Sequence, residues 1–371
     1  MRQPSAWFPA LLCAGTLLAF QSCASTPRSG GRSTGAPDGR GATLDLARLG
    51  PIRQLVQRAV SARQIPGAVV IVGERDRVVF REAFGSRALV PAPESMTLDT
   101  IFDIASLTKV MATTPAIMVL VEQGRLALDD SIVRDLPELD RYGKARITIR
   151  HLLTHTSGLR AGLDQALPFD GRDAAIGLAG EEVLEAAPGS RFIYSDINFV
   201  LLGEIVARAS GESLDRFVRT HVFEPLAMRD TMFLPSPQVR DRVAPTEPCE
   251  PAAGACPGGT SSMLRGVVHD PTARRMGGVA GSAGLFSTAD DVARFCRMIL
   301  NGGELDGSRV LGDLSVRLMT HSATRDGLAH VRGLGWDVDS PFSSVRGDLL
   351  PVGSFGHTGW TGTSKIGRAH V

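Results

Sequence analysis

Ser106-Leu107-Thr108-Lys109 sets a hydroxyl and an amine three residues apart where an apolar helical run begins, on one face and one turn from each other. A serine hydroxyl is a poor nucleophile until a base takes its proton. A lysine partly shielded from water near the positive end of a helix has its charged form disfavoured, so Lys109 can act as that base or as a proton relay. Ser106 also sits where free backbone N–H groups point outward, and its own N–H can meet a developing oxyanion. Alone the tetrad is a common pattern, and a serine cap followed by a solvated lysine competes with the catalytic reading.

Two further motifs follow in order, Tyr194-Ser195-Asp196 and His357-Thr358-Gly359. With all three in place the chain resembles the serine hydrolases related to class C β-lactamases, a group that includes penicillin-binding DD-peptidases, esterases and D-amino-acid peptidases. His151-Leu152-Leu153-Thr154-His155-Thr156-Ser157-Gly158-Leu159, Phe199 to Glu204 and Gly277 to Ser287 support the resemblance, which covers roughly Leu44 to Ser364. It implies an α/β (α+β) fold of the DD-peptidase/β-lactamase type, an antiparallel sheet flanked by helices plus an inserted all-helical domain at about 110–265.

The resemblance also implies roles. Tyr194 corresponds to the tyrosine whose phenol oxygen shares a proton with nucleophile and leaving group, and a tyrosine of ordinary pKa near 10 needs cations such as Lys109 to do so. Asp196 stands where β-lactamases usually carry Asn; it would repel an anionic substrate group and could anchor Lys109. Asn198 is no substitute, since on a helix it points about 200° away. His357 replaces the usual lysine, turning a fixed positive charge into a titratable one. Thr358 offers a hydrogen bond to substrate, Gly359 lets the substrate backbone approach, and the N–H of Trp360 is the second oxyanion donor.

Around these motifs the apolar pattern predicts an amphipathic helix over Leu44 to Val60 and a hairpin of Ala68–Gly73 and Val78–Phe84 turned by Glu74-Arg75-Asp76-Arg77. A helix over Leu107–Glu122 stops at Gly124, and another over Ala289–Leu300 is capped by Ser287-Thr288. Val352 to Ser364 reads as strand and tight turn. Strands at both ends of a helical middle agree with an α/β domain carrying a helical insertion.

The first 23 residues combine Arg2 with an apolar stretch from Trp7 to Phe20, the pattern of an export signal. Ser22-Cys23 resembles a lipobox, leaving lipidation and membrane tethering at Cys23 or plain cleavage nearby as alternatives. Residues 24–42 are Ser/Gly/Pro-rich and read as a flexible tether. Gly31-Arg32-Ser33-Thr34-Gly35 fits a nucleophile-elbow pattern but lacks the strand and helix such an elbow needs. The hydrolase domain is assigned to residues 43–364, at the periplasm or envelope.

The chain has 371 residues, 43% hydrophobic and 21% charged, with net charge +1, which gives no reason to expect a nucleic-acid partner. Cys249 and Cys256 share one Pro/Gly/Ala-rich loop, as a disulfide or as two thiols, and Cys296 reads as a core thiol. His151 and His155 lack the Glu and third ligand of a zinc site and are assigned to shaping a turn; no metal or cofactor is expected. Residues 365–371 back-translate to the start of a sequencing adapter, so the tail is set apart as adapter-derived and the domain as truncated near Ser364. The resulting expectation is an exported serine hydrolase acting through a Ser106 acyl-enzyme on a small-molecule or peptide acyl substrate: an ester, amide or peptidoglycan-type peptide. A DD-peptidase or β-lactamase proper, and a catalytically silent envelope-binding protein, are the alternatives.

Overall fold

Residues 46–249, 262–325, 327–346, 350–351 and 353–368 are described by the computed structural model. Cys23, Cys256 and the segment 24–42 lie outside them. A helical turn, Leu46–Leu49, leads into α1 (Gly50–Ser61), whose inward stripe is Ile52, Val56, Ala59 and Val60; Leu55, expected on that stripe, faces solvent. The β-branched runs then form β1 (Gly67–Gly73) and β2 (Val78–Ala88), antiparallel with Ala68 opposite Phe84 and Val72 opposite Phe80. Glu74 closes the turn, its N–H bonded to the Arg77 carbonyl at 2.8 Å and its carboxylate to the Arg77 guanidinium at 3.0 Å.

The sheet of β1 and β2 is extended by β3 (Glu94–Ser95). A second sheet, in the order β4-β6-β5, joins β4 (Ile101–Asp103), β5 (Met232–Phe233) and β6 (Leu285–Thr288). Strands β7 (Glu304–Leu305) and β8 (Ser308–Arg309) make a small hairpin. The last sheet runs β12-β11-β10-β9, from β9 (Val331–Arg332), β10 (Asp337–Asp339), β11 (Phe355–Thr358) and β12 (Ser364–Gly367). All these strand pairs are antiparallel.

The chain is helical from Leu107 to Glu122, but not uniformly so: Lys109–Thr113 is a π-helical segment that precedes α2 (Thr114–Glu122). Pro115 has no N–H to offer the carbonyl of Met111, and the Thr114 N–H reaches back five residues to Lys109 instead. The helices that follow are α3 (Ile149–Leu153), α4 (Arg172–Glu181), α5 (Asp196–Ser210) and α6 (Leu214–Val218). After β5 come α7 (Pro271–Arg275), α8 (Ala289–Leu300) and α9 (Asp313–Thr320).

Every residue of α5 from Ile197 to Val206 is buried, as is α2 from Thr114 to Leu120, so these two helices form the middle of the core. Gly203 of α5 lies against Gly281, where a Cβ would stand 2.0 Å from the Phe199 carbonyl oxygen, so this crossing requires the bare backbone. Thr288 caps α8, its hydroxyl accepting the Asp291 N–H at 3.3 Å. Helix α8 packs beneath both β1 and β12. Those two strands are sheet edges, and together with α8 they border a cavity of about 470 Å³ lined by Val69, Ile71, Val292, Cys296 and Lys365. Cys296 is half-buried, with its thiol pKa pushed up by desolvation. Cys249 is buried and disulfide-bonded.

Candidate active site

The nucleophile turn is built by Asp103 at the end of β4. Its carboxylate accepts the Ala105 N–H at 2.9 Å and the His269 N–H at 2.7 Å, and burial, working against those two bonds, pushes its pKa up to about 6. Ala105 is held at φ 45°, a left-handed conformation costly for alanine, which swings Ser106 to the head of the following helix.

Lys109 opens the π-helical segment and is 0% exposed. Its Nζ donates to Ser106 Oγ at 3.0 Å and to the Ser282 carbonyl at 2.8 Å, and lies 2.7 Å from Asp196 Oδ1. The Ser282 carbonyl is delivered by the same glycine-lined segment that touches α5, pinned by a 2.7 Å bond from the Thr113 hydroxyl to the Gly281 carbonyl. Burial opposes the lysine's charge, as its place in the sequence suggests, but the Asp196 carboxylate and then Tyr194 outweigh it and raise the pKa above the ordinary lysine value. The expectation of a disfavoured charge is thereby reversed: the acid first in α5 keeps Lys109 an ammonium.

Tyr194 precedes that helix, with its ring between two aromatic neighbours. His155 stacks on one side at 4.4 Å and Phe342 lies tilted at 4.7 Å. Lys109 Nζ lies 5.3 Å from the centre of the Tyr194 ring. His155 does more than shape a turn: it is fully buried, sits at φ 56°, and its Nδ1 accepts the Ser195 N–H at 3.0 Å, fixing the backbone next to Tyr194. Burial, with Arg332 and Lys109 nearby, holds its pKa well below the usual histidine range. His151 is used differently, in a capping box with Thr148 at the start of α3. No group of three or more metal-ligating side chains occurs among the described residues. Asn198 turns away from the site, its Oδ1 accepting the Ser157 hydroxyl at 2.6 Å.

On the other side stands β11. His357 is buried, its Nδ1–H bonded to the Thr358 carbonyl at 2.8 Å, and burial with Arg332 and Lys109 keeps it neutral, far below the usual range. The titratable charge expected at this position is therefore absent near neutral pH. Thr358 is half-buried at the strand end. Gly359 is required by the protein itself, since a Cβ there would meet Thr363 Oγ1 at 2.2 Å and the Ile104 carbonyl oxygen at 2.6 Å. The Thr361 hydroxyl donates to the Asp103 carbonyl at 2.7 Å and that of Thr363 to the Ile104 carbonyl at 3.2 Å, tying the β11–β12 turn to the nucleophile turn. Immediately before those anchors Trp360 is 84% exposed. Among the described residues neither the Ser106 N–H nor the Trp360 N–H has a protein acceptor, which leaves both for an oxyanion.

Sequence reasoning missed several contributors. Asp103, Phe342 and the buried Arg332–Asp337 pair, at 2.9 Å, come from segments far apart in the chain and have no motif of their own, while Ser282, within the Gly277 to Ser287 segment, acts through its backbone carbonyl, which side-chain type does not signal. For His155 the signal was visible, since it lies in the segment quoted for the resemblance.

The Beta-lactamase family model matches residues 52–367. A protein of Escherichia coli O157:H7 named as a D-alanyl-D-alanine carboxypeptidase is 32% identical over 355 residues, covering 88% of this chain and 80% of the relative. Among solved structures, EstCE1, described as a hydrolase with promiscuous acyltransferase activity, superposes with TM-score 0.68 at 24% identity over 86% of this chain and 90% of its own. A penicillin-binding protein homolog from Caulobacter crescentus gives TM-score 0.68 at 22% identity, over 86% of this chain and 88% of its own. The antiparallel sheets and the helical middle are thus those of a known fold, and the chain belongs to the β-lactamase family of serine hydrolases.

Proposed function

We propose that this protein is an exported hydrolase that works through a Ser106 acyl-enzyme on an ester, an amide or a peptidoglycan-type peptide. The observation that carries the reading is the buried Lys109 amine, 3.0 Å from Ser106 Oγ and 2.7 Å from Asp196 Oδ1, a pairing that favours its ammonium form. With its protons engaged by Ser106, Ser282 and Asp196, Lys109 has no lone pair for the serine proton. Tyr194, whose ring centre lies 5.3 Å from that amine, is the proton carrier. In the reacting form Tyr194 is the phenolate beside the Lys109 ammonium: Ser106 Oγ attacks the carbonyl carbon and its proton passes to that phenolate oxygen. The oxyanion is met by the N–H groups of Ser106 and Trp360. As the bond to the leaving group breaks, Tyr194 returns the proton to it, and the acyl-enzyme is then hydrolysed by water through the same steps.

The test is labelling of Ser106 by a fluorophosphonate and by a fluorescent β-lactam, compared with Ser106→Ala. Labelling of the wild type by the fluorophosphonate, lost in the variant, is the expected result. Absence of labelling by both reagents in the folded protein would sink the reading and favour an envelope-binding role. A D,D-carboxypeptidase activity is the second reading, favoured by the name its relatives carry; release of D-alanine from a D-Ala-D-Ala peptide tests it.

A further inference from the structure

We propose that Asp103 is the positioning residue of the oxyanion site: its carboxylate sets the Ser106 N–H, its main-chain carbonyl sets the Trp360 N–H, and the spacing of the two donors follows from this one residue. The inference rests on the hydrolase reading above, which names those two N–H groups as the oxyanion donors. Asp103 reaches neither the nucleophile oxygen nor the reacting carbonyl. It acts through the two turns it holds.

On the nucleophile side, the peptide unit between Ala105 and Ser106 carries the Ser106 N–H. Its carbonyl end is held by Thr108, which donates its N–H at 3.0 Å and its hydroxyl at 2.6 Å to the Ala105 oxygen. In a planar trans unit the N–H then points the opposite way, where no acceptor stands among the described residues. That orientation needs Ala105 at φ 45°, and the 2.9 Å bond from the Ala105 N–H to Asp103 Oδ1 closes the turn that keeps it there. Asp103 Oδ2 accepts the His269 N–H at 2.7 Å, so the carboxylate is held at both oxygens. His269 is itself fixed: its Nδ1 lies 2.9 Å from Glu247 Oε1, and the next residue, Asp270, caps α7.

On the other side, the Trp360 ring lies in solvent, so its N–H is placed by the turn around it. The Gly359 N–H donates to the Thr363 carbonyl at 2.7 Å, closing that turn. The Thr361 hydroxyl then fastens it to the Asp103 carbonyl at 2.7 Å and the Thr363 hydroxyl to the Ile104 carbonyl at 3.2 Å. A carboxylate is a costly brace for such a place, because Asp103 is buried and the charged side chains acting on it are His269 and Asp270, not a lysine or arginine. Neutral asparagine would cost less to bury, yet it offers one acceptor and one donor where two backbone N–H groups must both be accepted. The demand for two acceptors at once accounts for the acid.

The experiment labels Ser106 in the full chain with a fluorophosphonate, taking the final labelled amount as the number of active sites and the labelling rate separately. Hydrolysis of p-nitrophenyl butyrate then gives kcat per labelled site and KM. Labelling, acylation and deacylation all pass through the oxyanion site, so Asp103→Asn should lower the labelling rate and kcat per site by about 10–10²-fold, with KM changed by less than about 3-fold. A merely structural brace would instead reduce the number of labelled sites and leave the rate per site unchanged. Thr361→Val, which removes only the bond to the Asp103 carbonyl, should lower the same two rates by about 10-fold. It decides alone if circular dichroism shows Asp103→Asn to be unfolded. An unchanged rate per site in either folded variant overturns the proposal, while labelling of the wild type leaves the hydrolase reading standing. A wild type that is neither labelled nor active overturns both.

Discussion

Lys365 is the residue whose replacement should change stability most. It lies on β12 with its Nζ buried and without a hydrogen-bond partner, facing the half-buried Cys296 and the rings of Phe295 and Trp336, with no carboxylate among the groups that act on it. Burial lowers its pKa from 10.5 to about 7. A lysine with a depressed folded pKa costs stability when the solvent would charge it: the cost is full below the folded value and vanishes above the unfolded one. At about 1.4 kcal/mol per unit the cost is about 4 kcal/mol at pH 7 and about 1.5 kcal/mol at pH 9.5. Contact of the ammonium with two ring faces returns up to about 2 kcal/mol. Lys365→Met, similar in volume and apolar, should therefore stabilise the fold by about 2–3 kcal/mol at pH 7, falling to about 1.5 kcal/mol at pH 9.5, where the folded amine is neutral and the ring contact returns nothing. Urea unfolding of both proteins followed by circular dichroism at the two pH values measures this. A variant less stable than the wild type at pH 7, or a gain that does not shrink with pH, would refute the burial argument.

Other expectations concern the site and its supports. Asp196→Asn removes the carboxylate that holds Lys109 charged, so the basic limb of the kcat/KM–pH profile should move to lower pH; an unmoved limb contradicts the role given to the ion pair. Lys109→Met should lower kcat by about 10²–10³-fold in a steady-state ester assay, the usual worth of one preorganised electrostatic donor. Gly281→Ala, whose methyl would meet the Phe199 carbonyl, should cost about 1–3 kcal/mol in urea unfolding by forcing α5 away.

The fold class and the α1, hairpin, nucleophile-helix and α8 segments were legible because each has a strong period and a clear stop, such as Gly124 or the Asn301-Gly302-Gly303 run. The π-helical segment was not, since it follows from where Thr114 finds an acceptor next to Pro115 rather than from apolar spacing. In the site, spacing supplied Ser106 and Lys109, and ordered motifs supplied Tyr194 and His357. The charge states did not follow from spacing. Whether Lys109 gains or loses a proton depends on Asp196, 87 positions away, and His357 stays neutral because of burial and of Arg332, neither of which a local motif encodes.

The π-helical turn at Lys109–Thr113 also bears on how the active site and the core can change independently. A wide turn amounts to one residue added to an α-helix, so the positions before and after it differ in phase by about 100°. The face that aims Lys109 at Ser106 is thereby offset from the face that α2 buries against α5. Substitutions that repack α2 need not rotate the amine, and deleting a single residue within 110–113 would bring the two faces back into one phase and turn Ser106 and Lys109 together relative to α5 and the Ser282 carbonyl while leaving the helix formally intact. The extra residue acts as a hinge in sequence space, letting core composition drift while the nucleophile's partner stays aimed.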